Sequence, residues 1–164
     1  MVMLLLAVLP LLLNMPVLHA EESGEAGQTF YPLESFDLEG PLPDLKGKIV
    51  LLDFWASWCG PCAKSFPSLD ALYQEYRERG VVVLGINLDE KRSGMDGFLK
   101  KRPVTFPIVR DAKQKLVAKA NVGSMPTSLI LDRSGRERFR HNGFHGEKTI
   151  AALRKHFDTL LGEK

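Results

Sequence analysis

The 164-residue chain contains two cysteines, Cys59 and Cys62, separated by Gly60 and Pro61. A cross-link between residues this close closes a tiny loop and stabilises little through chain entropy, so a purely structural disulfide explains the pair poorly. Two thiols at this spacing can exchange disulfides, or they can supply half of a metal site. The flanking sequence favours exchange. Ile49-Val50-Leu51-Leu52-Asp53-Phe54-Trp55 is a nearly continuous apolar run that reads as a central strand. After the cysteines, Cys62, Phe66, Leu69, Tyr73 and Tyr76 recur at spacings of four, three, four and three, which is one helix face. At a strand-to-helix junction, unpaired backbone N–H groups and the helix dipole stabilise a thiolate. The placement predicts an exposed, acidic Cys59 that attacks a substrate disulfide and a shielded Cys62 that resolves the mixed disulfide. A copper or zinc carrier using the same two thiolates is the competing reading.

Asp53 is the anomaly of the apolar strand. Burial there raises a carboxyl pKa. Such a group can move a proton to or from Cys62 as that thiol attacks, or it can simply hydrogen-bond a neighbour. The two tryptophans, Trp55 and Trp58, both flank the cysteines. Trp55 is assigned to the core and Trp58 to a partly exposed cover over Cys59. His141 and His145 have zinc-ligand spacing but lie far along the chain from the thiols, and no native metal site is assigned. Arg136, Arg138 and Arg140 alternate along one predicted strand and read as a solvated edge.

Further elements are read in the same way. The helix after the cysteines runs from about 61 to 79, kinks at Pro67 and ends at Gly80. A second buried strand covers 81–88. Ser93 and Asp96 have capping-box spacing for a short helix carrying Met95, Phe98 and Leu99. A short strand covers 106–109, and Asp111 caps a helix to about Ala120. Strands at 127–131 and 136–142 flank a turn, and a last helix carries Ile150, Leu153, Phe157, Leu160 and Leu161. Residues 30–48 mix apolar groups with Gly40, Pro41, Pro43 and Gly47, and read as a short strand or hairpin. The expected fold is α/β: a central mixed sheet with helices on both faces, a short N-terminal extension and a helical insert.

Residues 1–20 carry no Lys, Arg, Asp or Glu, so every such charge lies in 21–164. This stretch reads as a cleaved signal peptide, with an uncleaved N-terminal anchor as the alternative; either one exports the remainder of the chain. Polar residues 21–29 read as a flexible leader and 30–164 as one domain. A net charge of +2 gives no basic excess for nucleic acid. The length excludes a multidomain machine.

The segment Asp53-Phe54-Trp55-Ala56-Ser57-Trp58-Cys59-Gly60-Pro61-Cys62, with Pro67 beyond it, closely resembles the active-site segment of thioredoxin. The exported context, Lys46-Gly47-Lys48 and the insert at about 90–106 resemble the TlpA group of periplasmic thioredoxin-like proteins. That group includes reductases serving cytochrome c maturation. The resemblance covers about residues 30–162. It implies a thioredoxin fold and a redox-active Cys59–Cys62 disulfide. It also implies a cis peptide at Met125–Pro126 within Ser124-Met125-Pro126-Thr127, and substrate contacts at Trp58, Gly60, Pro61, Met125, Pro126 and Gly143. Three positions depart from family patterns. Ser65 stands where some cytochrome-c-maturation members have an acid, and Asp53 stands where many TlpA-like proteins have Asn. Gly85 stands where thioredoxin has a lysine near the buried acid. The implied activity is a monomeric thiol–disulfide oxidoreductase without an organic cofactor or metal. It reduces client protein disulfides with electrons from a membrane or periplasmic redox donor, with a disulfide oxidase or isomerase as the alternative. Neither Gly60 nor Pro61 can stabilise the thiolate as a cation would, which favours the reducing direction.

Overall fold

The computed structural model describes residues 27–163. The expected signal or anchor at 1–20 and most of the expected leader lie outside them. Residues 27–29, the end of that leader, are bonded to the chain at 136–137: Gly27 N–H donates to Glu137 O, Glu137 N–H donates to Gln28 O, and Thr29 bridges Arg136.

Strands β1 (Ile49–Trp55), β2 (Val81–Asn87), β3 (Ile108–Arg110), β4 (Thr127–Leu131) and β5 (Glu137–Asn142) form one sheet in the order β3-β2-β1-β4-β5. The pairings of β1 with β2 and of β2 with β3 are parallel; β4 runs antiparallel to both β1 and β5. Every residue of β1 is buried, as its apolar run requires for a strand covered on both faces. Alternation along β1 divides the core. Ile49, Leu51 and Trp55 face α1 (Gly60–Tyr76), α2 (Arg92–Lys101) and α4 (Glu147–Gly162). Val50, Leu52 and Phe54 face α3 (Lys115–Lys119) and the N-terminal segment, through Leu116, Phe30 and Leu33. This is the thioredoxin arrangement of a mixed five-stranded sheet with helices on both faces.

On the α1 side, Trp55, Phe66, Phe98 and Phe106 form an aromatic cluster with ring centroids 4.7–5.4 Å apart, mostly edge-to-face. Such pairs contribute about 0.5–1.5 kcal/mol each beyond area burial. Here they also keep water from the inner end of β1. Pro67 lies inside α1 on its exposed side, and the helix passes into a 3-10 turn at Arg77–Arg79 before Gly80 ends it in the left-handed region.

Three local expectations need correction. No hairpin forms at 30–48. That segment holds a 3-10 turn, Leu33–Phe36, and one isolated bridge, from Glu39 to Arg110. Pro32, Pro41 and Pro43 lack the donors that a hairpin ladder needs. Instead the Arg110 guanidinium grips the Glu39 carboxylate through both oxygens and covers the open edge of β3. The expected capping box is also absent. α2 starts at Arg92 with no side-chain cap, so Ser93 and Asp96 lie within it. Thirdly, the arginines do not make a solvated edge. Arg140 is mostly buried against Glu137 at 2.8 Å, and Arg138 pairs with Glu163 at 2.7 Å. No helix of the described residues is long and apolar enough to cross a membrane.

Candidate active site

β1 ends at Trp55, and the loop 56–58 carries the chain to Cys59, which occupies the N-cap of α1 in extended conformation. Its sulfur accepts the Cys62 N–H at 3.2 Å, an N-cap bond made by sulfur instead of oxygen. Cys59 and Cys62 are joined in a disulfide with their Cα atoms 5.3 Å apart. Cys62 is fully enclosed. Cys59 retains 6% exposure, so it is the more accessible residue of the pair but not the open one expected. In the disulfide it turns inward to Cys62, beside Ala56 and the core. Trp58 is 72% exposed and so stands in solvent beside the pair more than it covers it. Gly60 and Pro61, exposed, form the first turn of α1.

The loop is fixed by an acid that sequence reasoning missed. Asp89, just past β2, accepts the Ser57 N–H at 3.0 Å and the Ser57 hydroxyl at 2.8 Å, and it also accepts the Asn87 side-chain amide at 2.8 Å. Ser57 and Asp89 are 32 residues apart, and only the parallel β1–β2 register brings them together.

Asp53 is 1% exposed and lies on the face of β1 that α1 covers. Ser128 Oγ–H donates to its Oδ1 at 2.7 Å. Its Oδ2 and the Trp55 Nε1 have no hydrogen-bond partner among the described residues. Burial pushes the Asp53 pKa up to about 7, against the opposing pull of the Ser128 bond. Gly85 is the cross-strand neighbour of Asp53. A Cβ there would sit 2.4 Å from Ile108 Cδ1 and 3.2 Å from both Phe106 and the Trp55 indole nitrogen. The place where thioredoxin has a lysine is thus filled by apolar packing.

The Met125–Pro126 peptide is cis. Met125 packs against the core cluster that contains both cysteines. Gly143, at φ +78°, donates its N–H to Pro126 O at 2.7 Å, and a Cβ there would meet the His145 ring at 3.4 Å. Thr127 Oγ1–H donates to Ser124 O at 2.8 Å and steadies the turn before β4. Cys59, Cys62 and Met125 are thus gathered at one end of the sheet, with Gly143 bonded to the same turn. His141 does not join them in a metal set: its Nε2 is 3.0 Å from His156 Nδ1. Among the described residues no group of three or more His, Cys, Asp or Glu side chains is placed to hold a metal ion.

Comparison with known proteins agrees with this geometry. The family model for Redoxin matches residues 35–155. The thiol-disulfide oxidoreductase ResA of Bacillus cereus (strain ZK / E33L) is 40% identical over 103 residues, 61% of this chain and 60% of that protein. The chain thus spans about 60% of the length of the curated relatives it first matches. A Chlorobium tepidum crystal structure, described as a DsbE thiol:disulfide interchange protein, is 38% identical with a TM-score of 0.69, covering 73% of this chain and 84% of its own. A secreted disulfide oxidoreductase of Mycobacterium tuberculosis is 25% identical with a TM-score of 0.60, covering 71% of this chain and 84% of its own. The chain belongs to the Redoxin family and is a TlpA-like member of the thioredoxin superfamily.

Proposed function

We propose that the protein is an exported thiol–disulfide oxidoreductase that reduces disulfides in client proteins of the periplasm. The observation that carries this reading is the Cys59–Cys62 disulfide at the start of α1, with Cys59 sulfur accepting a backbone N–H. The same donor that holds the sulfur in the oxidised form can hold a thiolate in the reduced one. Export draws support from the apolar, uncharged residues 1–20 and from the secreted Mycobacterium tuberculosis relative.

The reaction then runs in two exchanges. Cys59 thiolate attacks one sulfur of the client disulfide; that bond breaks and the client's other sulfur leaves as a thiolate, which takes a proton. The Cys62 thiol gives its proton to Asp53 and attacks Cys59 Sγ. The Cys59–client bond breaks, the second client thiolate leaves, and the Cys59–Cys62 disulfide forms. Two electrons pass to the client. A separate dithiol protein must return them. A carboxyl titrating near 7 is matched to accepting a thiol proton at neutral pH. Trp58, Gly60, Pro61, Met125, Pro126 and Gly143 are assigned as the contact surface for the client chain, and Gly143 leaves its backbone approachable.

The reducing direction rests on Gly60-Pro61, which adds no cation to stabilise the thiolate. The potential is expected on the thioredoxin side of the midpoint between thioredoxin, at about −270 mV, and the strong periplasmic oxidant, at about −120 mV. Equilibration with glutathione redox buffers tests this. A value more oxidising than about −180 mV would overturn the reductase assignment. Cys62→Ser should leave clients covalently held on Cys59, where they can be identified.

A further inference from the structure

Cys59 owes its place at the start of α1 to the turn before it. Cys59 N–H donates to Ala56 O at 3.1 Å, so residues 56–59 close a β-turn that carries the chain from β1 into the helix. Trp58 in that turn is 72% exposed, so its packing does little to hold the turn in place. The hold comes from Ser57, two residues before the nucleophile. Ser57 donates its N–H to Asp89 Oδ2 at 3.0 Å and its hydroxyl to Asp89 Oδ1 at 2.8 Å. Asp89 is 6% exposed, and its side chain takes a further bond from Asn87 Nδ2 at 2.8 Å.

Asp89 is itself fixed through its backbone. Its N–H donates to Asn87 Oδ1 at 3.1 Å, and Arg110 Nη1 donates to the carbonyls of Asp89 at 3.1 Å and Glu90 at 2.9 Å. The remaining guanidinium nitrogens of Arg110 bond Glu39. α2 closes on the pair as well: a Cβ on Gly94 would lie 3.1 Å from Ser57 Oγ and 3.4 Å from Asp89 Cγ. Each of these donors to the Asp89 side chain is neutral, and burying a charge costs more than burying an amide. Stability alone therefore does not call for an acid here. Rigidity does, because charge-assisted hydrogen bonds are shorter and stronger than neutral ones.

Resting on the dithiol reading above, we propose that Ser57 and Asp89 are positioning residues for the nucleophile: their bonds hold the 56–59 turn so that Cys59 Sγ stays on the N–H groups of α1, which stabilise its thiolate. Every link is a hydrogen bond of the structure. Asp89 fixes Ser57, the turn bond ties Cys59 to Ala56, and Cys62 N–H reaches Cys59 Sγ at 3.2 Å. In the oxidised protein the disulfide also holds Cys59 Sγ. Reduction breaks that bond, and the turn must then hold the sulfur without it. A turn that shifted would draw the sulfur off the helix start, and the stabilisation there falls away within the first turn. Cys62 lies inside α1 and does not depend on the turn for its place. Ser57 and Asp89 thus act on the exchange through Cys59 alone.

The test is iodoacetamide labelling of the reduced protein against pH, with the labelled cysteine identified by fragmentation mass spectrometry. The parent, Ser57→Ala, Asp89→Ala, the double variant and Asp70→Asn are compared. Ser57→Ala leaves in place the charged and titratable groups on the elements that border the site: Asp53 on β1, Lys64 on α1, Asp89 after β2, Lys91 and Arg92 at the start of α2, and His145 and Glu147 at the start of α4. It should make Cys59 about a threefold weaker acid, seen as a higher midpoint of its labelling profile, and leave the Cys62 profile where it was. In the Asp89→Ala background, Ser57→Ala should have no further effect, because the bond is already gone. Asp70→Asn weakens a like pair of bonds further along α1, where Asp70 Oδ1 accepts the Thr105 N–H at 2.6 Å and its hydroxyl at 2.7 Å. It should keep the parent profile. Ser57→Ala removes one hydroxyl and keeps the N–H bond, so it decides the matter even where Asp89→Ala fails to fold. An unmoved or lowered Cys59 midpoint in Ser57→Ala would overturn the proposal and leave the dithiol reading standing. An equal shift in Asp70→Asn, or an undiminished effect of Ser57→Ala in the Asp89→Ala background, would overturn it too. Faster labelling of Cys62 than of Cys59 in the parent would overturn both.

Discussion

Asp53 should make the protein less stable as pH rises from about 5 to 8, and Asp53→Asn should abolish that fall. The carboxyl titrates at about 7 in the folded state against an ordinary value of 3.8, and desolvation is the main cause. Below pH 3.8 the group is protonated in both states and has no effect on stability. Between 3.8 and about 7 the unfolded chain ionises while the folded protein holds its proton, so the unfolded state gains and stability declines. Above about 7 both states ionise and the loss levels off. Each pKa unit is worth about 1.36 kcal/mol, which makes the loss roughly 2 kcal/mol at pH 5 and roughly 4 kcal/mol at pH 8. The asparagine amide has its own burial cost, but that cost does not depend on pH and cancels in the slope. Denaturant unfolding of the oxidised protein at a series of pH values, where the cysteines cannot titrate, measures it. The stability of Asp53→Asn minus that of the parent should grow by roughly 2–3 kcal/mol between pH 5 and pH 8. Parallel stability curves would refute the raised pKa, and with it the role of Asp53 as a base poised near neutrality.

In the reduced protein, Cys59 should alkylate before Cys62, with a pKa below the free-thiol value of about 8.5, because its sulfur is the one that meets the α1 N–H group. Rates of iodoacetamide labelling against pH decide this, and faster labelling of Cys62 would reverse the roles of the two sulfurs. Gly85→Ala should destabilise by about 1–3 kcal/mol through overpacking, since the new Cβ lands 2.4 Å from Ile108 Cδ1. Trimming that atom with Ile108→Val should recover stability in the Gly85→Ala background, whereas in the parent it should cost about 0.5–1.5 kcal/mol. Equal costs of Ile108→Val in both backgrounds would show that Ile108 is not what crowds position 85.

The parts of the fold that were legible in sequence are those whose signal is local. The apolar run of β1, the three-and-four spacing of α1 and the strand-to-helix placement of the cysteines all lie within one stretch of about 30 residues, and Asp53 declared itself by interrupting the run. The partners of the site were not legible. Ser128 lies 75 residues from Asp53, and Asp89 lies 32 from Ser57; each meets its partner only through strand register. An isolated serine or aspartate at a strand end has no pattern to mark it. The N-terminal segment misled for a related reason. Its apolar residues suggested a short strand or hairpin, but they fill the α3-side core from irregular backbone, and a ladder is replaced by Arg110 reaching Glu39. The exposure of Cys59 was overestimated because helix position sets which way a residue begins, while the disulfide to Cys62 sets where its sulfur ends.

The packing around Gly85 and the titration of Asp53 belong to one arrangement. A cation opposite Asp53 would favour the carboxylate and pull its pKa down, away from the range in which it can take a thiol proton at neutral pH. Here Ile108, Phe106 and Trp55 close that position, and the hydrogen bond from Ser128, a neutral hydroxyl, supports one oxygen while the other has no partner among the described residues. The same aromatic cluster that stabilises the sheet face desolvates the acid. An apolar residue at position 53 would remove a penalty of several kcal/mol, because a buried polar atom without a partner costs about 1–3 kcal/mol and ionisation at high pH adds to it. Stability therefore gives no reason for an acid at this position. The proposed proton transfer at the buried sulfur does, since it requires a group that is held nearly neutral, lies on the Cys62 side of the sheet and can lose its proton within the working range of pH.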